Sequence, residues 1–245
     1  MDKFIIALII ILIFLIFVVF TSRSQVKKLY AKYMVVNNSA GITGGQLALI
    51  ASEKFNLENL NISTTVNNLA DAYIPKTKTL VLSESTCYNA SLASIGIAAH
   101  ELGHAIQDKQ NHRLFGLSVV LSRITKFTNL FIIPLLVTSL IIYLLCLTQI
   151  VAPELISYSS TLFLTAFGLF ILNLTVKLIL IPIEYDASRK ALRFLQDYNI
   201  ISKNETHHIK KLLKTASYTY ILSLFDGIII SGKKISNIIS NNKQK

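Results

Sequence analysis

Long unbroken apolar runs alternate along this chain with polar stretches that carry nearly all of its charge. Phe4 to Phe20 is seventeen consecutive apolar residues. As a helix it covers about 26 Å, enough for one tilted membrane crossing. The leader before it is only Met-Asp-Lys, and the run ends in Val-Val-Phe-Thr-Ser-Arg-Ser without a small-residue cleavage site. That pattern predicts an uncleaved anchor rather than a signal peptide. Leu130 to Val151 and Thr161 to Ile183 are two further runs, each about 33 Å long as a helix. The short link between them, residues 152–160, predicts a helical hairpin in the bilayer. A fourth apolar stretch, Ala216 to Gly232, is interrupted by Asp226 and reads as an interfacial or re-entrant helix, with a fourth membrane span as the alternative.

Between these runs the periodicity is that of a small folded region. Residues 41–57 predict a helix capped by Thr43 after a glycine turn, and Ser91 through Ile106 predicts another. Residues 61–66 and 78–83 have strand composition, the second reading as an edge strand after the Pro75-Lys76 turn. Residues 184–197 and 202–215 predict two more helices. The expected division is a membrane anchor at 1–21, a cytoplasmic region with the chemistry at 22–129, the hairpin at 130–183, and a cytoplasmic helical region at 184–245.

Composition agrees with a membrane protein. Of 245 residues, 52% are hydrophobic and only 15% charged, against about 25% charged in soluble domains. Disorder is excluded by the hydrophobicity, and a disulfide scaffold by the presence of two cysteines alone, Cys87 and Cys146. The net charge of +11 would suit nucleic acid, but its distribution points to a lipid surface and no nucleic-acid partner. Residues 21–129 and 184–245 each hold eleven Lys or Arg, and the 152–160 link holds none. The positive-inside rule then puts both long polar parts in the cytoplasm. Lys177, six residues before the end of its run, is expected to snorkel to the interface. The Asn-X-Ser/Thr triplets, one of them at Asn173 inside a span, are expected to be unglycosylated.

The chemistry centres on His100-Glu101-Leu102-Gly103-His104. On a helix the two histidines lie about 40° apart and one turn along, so their imidazoles can share one zinc ion. Glu101 projects beside them, where it can act as general base toward a zinc-bound water. With five His and seven Glu in the chain, such a motif arises by chance only about 0.003 times. Two histidines leave zinc one protein ligand short. Glu184, Asp186, His112, His207 and His208 are the candidates. Glu184 is the best of them, because it follows the second run of the hairpin and so returns to the side of His104. Asp186 is expected to hold a ligand histidine from behind.

These residues, with GITGGQLA, YIPKTKTLVLS, SLASIGIAAHELGHAIQ and EYDASRKAL, resemble the YugP-like neutral zinc metallopeptidases of bacterial membranes along most of the chain. They are more distantly similar to HtpX-like and CAAX-prenyl proteases, which carry a Glu ligand in E-x-x-A-D; here the segment is Glu184-Tyr-Asp-Ala-Ser188. The resemblance implies a mostly α integral membrane protein with a gluzincin-like α+β core and a small sheet, built around the hairpin. It implies Zn2+ on His100, His104 and Glu184, Glu101 as catalytic base, and a protein or peptide substrate associated with the membrane. Quality control of membrane proteins is one role of that kind. Where the family tends to carry D-H-Y-D-P, this chain has Asp71-Ala72-Tyr73-Ile74-Pro75. The rival reading is a catalytically inactive zinc-binding scaffold. A transporter using Lys177 and Asp226 is a third, disfavoured by having only two spans beyond the anchor. A substrate strand is expected beside Thr79–Ser83. Tyr73, Tyr185 and a basic residue of 189–214 are open candidates for stabilising an oxyanion.

Overall fold

The computed structural model describes residues 27–222, with side chains up to residue 215. The expected anchor lies outside the described residues, as does residue 223 onward of the Ala216–Gly232 segment. The described residues divide into two compact units, one of residues up to 118 with 181–219, the other of residues 119–180 with 220–222.

In the first unit, residues 27–34 are helical (α1), and α2 follows at Gly44–Lys54. Thr43 caps α2 in a reciprocal box with Gln46, satisfying two of the open amides of its first turn. Three strands come next: β1 (Asn61–Thr65), β2 (Ala72–Ile74) and β3 (Thr79–Ser83). The sheet order is β1-β3-β2, with β1 parallel and β2 antiparallel to β3. The strand expected at the edge is therefore the central one. Leu80 and Leu82 explain why: both are fully buried, and a strand with such a face is stabilised by a neighbour on each side. The edges fall to β1 and to β2, whose three residues are too few to show a pattern in sequence.

Helix α3 (Glu84–Cys87) leads to α4 (Leu92–Lys109), capped by Ser91. Helix α4 is the core of the unit. Leu92, Ala93, Ile95, Ala98, Ala99 and Leu102 are at most 1% exposed, so it is enclosed on nearly every side. Helix α2 packs directly on it, and α3 touches both. A Cβ on Gly44 would sit 2.4 Å from the Thr86 carbonyl oxygen, so only glycine lets α2 start there. Helix α5 spans Arg113–Leu147, α6 spans Ile156–Asp197, and α7 spans Lys203–Leu222. The helix expected at 184–197 is thus the last part of α6, which runs through Pro182 without ending.

The second unit holds most of α5 and the first part of α6. These two helices are long and apolar enough to cross a membrane. Only 17% and 28% of their most apolar windows are buried, so protein does not cover them as it covers a core helix. They are tied together by polar side chains. Ser139 and Ser159 each donate to the other's carbonyl at 2.8 Å. The fully buried Asn173 donates to Asn129 at 2.8 Å and accepts from Thr128 at 2.7 Å. Small polar residues of this kind hold apolar helices where hydrophobicity cannot. Lys177 departs from the snorkelling expected of it: it is only 8% exposed and has a polar or electrostatic partner.

Replacing Asn173 with Leu removes both of its hydrogen bonds; the Asn129 acceptor loses its donor, while Thr128 can still donate to the Ile124 and Thr125 carbonyls. The expected loss is about 0.6–2 kcal/mol, read as a lower midpoint in detergent-denaturation titrations of the full chain.

Candidate metal centre

His100, Glu101 and His104 stand on one face of α4 because the helical rise brings positions four apart together. The ring centroids of His100 and His104 are 4.9 Å apart, and the His104 ring stacks on Phe115 at 5.7 Å. Helix α6 brings the third group. Glu184 Oε2 lies 3.3 Å from His100 Nε2 and 3.4 Å from His104 Nε2. Among the described residues these three form the one group of His, Cys, Asp or Glu able to hold a metal ion. Their side chains are 13–17% exposed, enclosed but reachable.

The approach of α6 to α4 is unusually close. A Cβ on Gly103 would lie 2.4 Å from the carbonyl oxygen of Ala187. Gly103 precedes His104 and Ala187 follows Glu184 by less than a turn, so this contact sets the distance across which the two donor groups meet.

Electrostatics follow from the enclosure. Burial alone would lower His104, but the Glu184 carboxylate outweighs it and pushes the imidazole up to about 9. Burial alone would raise Glu184, yet hydrogen bonds from His100 and His104 hold it well below the usual carboxylate range. Glu101 is raised, mainly by desolvation, against the pull of both histidines and of the Tyr73 amide. That amide donates to Glu101 Oε2 at 2.9 Å from the outer edge of β2. A carboxylate raised in this way is a stronger proton acceptor than an ordinary one.

The surrounding groups are placed as follows. Asp186 bonds neither histidine. It accepts from Gln107 Nε2 at 2.9 Å, and Gln107 Oε1 faces His104 Nδ1 at 3.0 Å. Sequence reasoning missed Gln107; its signal was a polar residue on the buried face of an otherwise apolar helix. Arg189 and Lys190 pair with Asp186, not with Glu184. Although desolvation raises Asp186, the bonds from Gln107, Lys190 and Arg189 hold its carboxyl far below the usual range. His100 Nδ1 faces Ser188 Oγ at 3.1 Å. His208 bonds Tyr33, His207 stands beside His208, and the buried Nδ1 of His112 meets no hydrogen-bond partner among the described residues. None of the three joins the metal group. The Tyr73 hydroxyl donates to Asp108 at 2.7 Å, which commits it away from the metal group, and Tyr185 is 65% exposed. A cavity of about 340 Å³ opens beside Tyr73, Ala105, Lys78 and Lys109.

Residues 8–230 match the family described as "Putative neutral zinc metallopeptidase". The chain belongs to that family. It is also 27% identical, over 216 residues, to the protein named "Putative membrane protease YugP" of Bacillus subtilis (strain 168), covering 84% of this chain and 87% of that one. No solved structure matches.

The family implies zinc, and the donors suit that ion. With bonds of about 2.0–2.1 Å, the edges of a tetrahedral zinc site are about 3.3–3.4 Å. The two Nε2–Oε2 separations are 3.3 and 3.4 Å.

Two outcomes are expected here. Zinc must displace the proton that His104 carries below pH 9. Apparent affinity should therefore rise with pH, about tenfold per unit for one proton between pH 6 and 8. Chelator-competition titrations of the metal-free protein measure this, and a flat profile would contradict it. Gly103→Ala should force α6 away and weaken zinc binding at least tenfold, whereas Gly116→Ala, whose Cβ meets nothing within 4 Å, should leave it unchanged. Zinc content after dialysis against a weak chelator distinguishes them.

Proposed function

We propose that this protein is a membrane-bound zinc metalloendopeptidase of the gluzincin type. His100, His104 and Glu184 are its zinc ligands, and Glu101 is its general base. The observation that carries the reading is the convergence of three donors, with Glu184 at 3.3 and 3.4 Å from the two imidazoles, beside a raised carboxyl on the same helix. Zinc, when bound, supplies a Lewis acid that polarises a peptide carbonyl and makes water nucleophilic near neutral pH. Glu101 accepts the water's proton and passes it to the departing amide nitrogen. Both flanks of β3 are occupied by β1 and β2, so a substrate strand cannot add there. The outer edge of β2 is the alternative, since its Tyr73 amide already points at Glu101. A peptide lying along that edge would extend a side chain into the cavity beside Ala105 and Tyr73.

The charge pattern supports a multi-pass arrangement in a bacterial cell membrane with the site on the cytoplasmic side. Glu184 lies on the same helix as one apolar run. Substrates of this reading are membrane proteins cut in cytosolic or juxtamembrane segments, as quality control requires.

The test compares zinc-loaded wild type with Glu101→Gln on a proteome-derived peptide library and on detergent-solubilised membrane proteins. Wild type should cleave, and the variant should retain one zinc while losing at least about a hundredfold in rate. Equal cleavage by both would remove Glu101 from the chemistry. One bound zinc with no cleavage by wild type would favour the scaffold reading.

A further inference from the structure

Gln107 is fully buried, one turn beyond His104 on α4. Its amide nitrogen lies 3.0 Å from the Ile183 carbonyl oxygen and 2.9 Å from Asp186 Oδ2. Both are acceptors. A main-chain carbonyl never donates, and the Asp186 carboxylate takes hydrogen bonds from Arg189 on one oxygen and Lys190 on the other. Only the NH2 group of Gln107 can face two acceptors at once; turning the amide over would set oxygen against oxygen twice. Its oxygen is therefore fixed toward His104 Nδ1, at 3.0 Å. An amide oxygen only accepts, so Nδ1 must carry the hydrogen, and in the neutral ring the lone pair lies on Nε2. Nε2 is the atom that faces Glu184.

We propose that Gln107 is a positioning residue that selects the Nδ1–H tautomer of His104 and aims Nε2 at the metal, with Asp186 acting through Gln107 rather than on a histidine. The proposal rests on the zinc-centre part of the reading above and not on peptide cleavage. The two ligand histidines then differ. His100 Nδ1 faces the Ser188 hydroxyl. A hydroxyl can donate or accept, so that contact by itself dictates no tautomer. The fixed member of the pair is His104, and its orientation is set by α6 through Ile183 and Asp186, the same segment that delivers Glu184. Loss of the relay should weaken zinc binding within the 10- to 100-fold range usual for groups behind a metal ligand.

The experiment uses the full chain in detergent and the metal alone as ligand. Zinc dissociation constants are measured by chelator competition for wild type, Gln107→Leu, Asp186→Ala and the double variant. Apo-protein thermal midpoints are recorded alongside. Gln107→Leu should bind zinc 10- to 100-fold more weakly, and the double variant no more weakly than Gln107→Leu. Histidine-selective 15N spectra of zinc-loaded wild type should show His104 bound through Nε2 with a protonated Nδ1. Unchanged zinc affinity in Gln107→Leu overturns the proposal even if the thermal midpoint falls, because that pattern marks a purely structural role. Additive losses in the double variant, or metal on Nδ1, also overturn it. Failure of wild type to bind zinc overturns the zinc centre itself, and the proposal with it. Zinc binding without any peptide cleavage by wild type leaves the relay intact and sinks only the peptidase reading.

Discussion

The backbone contact between Gly103 and Ala187 is the constraint on which the metal group depends. Two helices normally keep their axes 8–10 Å apart because side chains intervene. Here glycine on α4 and alanine on α6 remove them, and a Cβ at Gly103 would lie 2.4 Å from the Ala187 carbonyl oxygen. A Glu side chain is short, so Glu184 can reach two histidines on a neighbouring helix only if that helix comes this close. The same approach brings the Ile183 carbonyl within 3.0 Å of Gln107. One steric fact therefore places a ligand and orients the groups behind another.

The centre gathers two carboxyls and two imidazoles in a largely enclosed space. Such clusters cost desolvation energy that mutual attraction repays only in part. The opposed shifts follow from that attraction: the histidines hold Glu184 well below the usual carboxylate range, and Glu184 pushes His104 up to about 9. A divalent ion held among these donors would meet the same carboxylate with a larger charge. Glu101, raised mainly by burial, is the carboxyl that the histidines do not bridge. The site thus assigns different work to two glutamates by their surroundings alone.

Much of this was legible in the chain, for reasons that can be named. The His100/His104 spacing is local helical geometry and needs no tertiary information. The Thr43 and Ser91 caps are equally local, and both helices start where those residues predict. Glu184 was favoured by topology, because two apolar runs return the chain to its starting side. What failed was non-local. Whether a strand is central or at an edge depends on neighbours, so Thr79–Ser83 was misplaced and the three-residue β2 went unseen. Gln107 carried no recognisable motif; its role arises only when Ile183 and Asp186 arrive from 76 and 79 residues away. Lys177 misled because snorkelling assumes a lone helix, whereas the folded chain buries this side chain.

The ligand pattern also limits how the chain can meet a bilayer. His104 and Glu184 must lie on one side, since their donor atoms are 3.4 Å apart. Between them stand two helices long and apolar enough to cross. Any odd number of crossings would put a membrane between the ligands. Two crossings satisfy the metal group, and so does none, but one does not. No crossing at all would leave both helices facing water along windows that are 17% and 28% buried, an apolar exposure that soluble proteins avoid. Two crossings remove that cost and keep the ligands together. Parity of the crossings between the two donor groups is the same whichever way the N-terminus points. In the proposed membrane arrangement the positive-inside rule then has one remaining task, to say on which side the shared site faces.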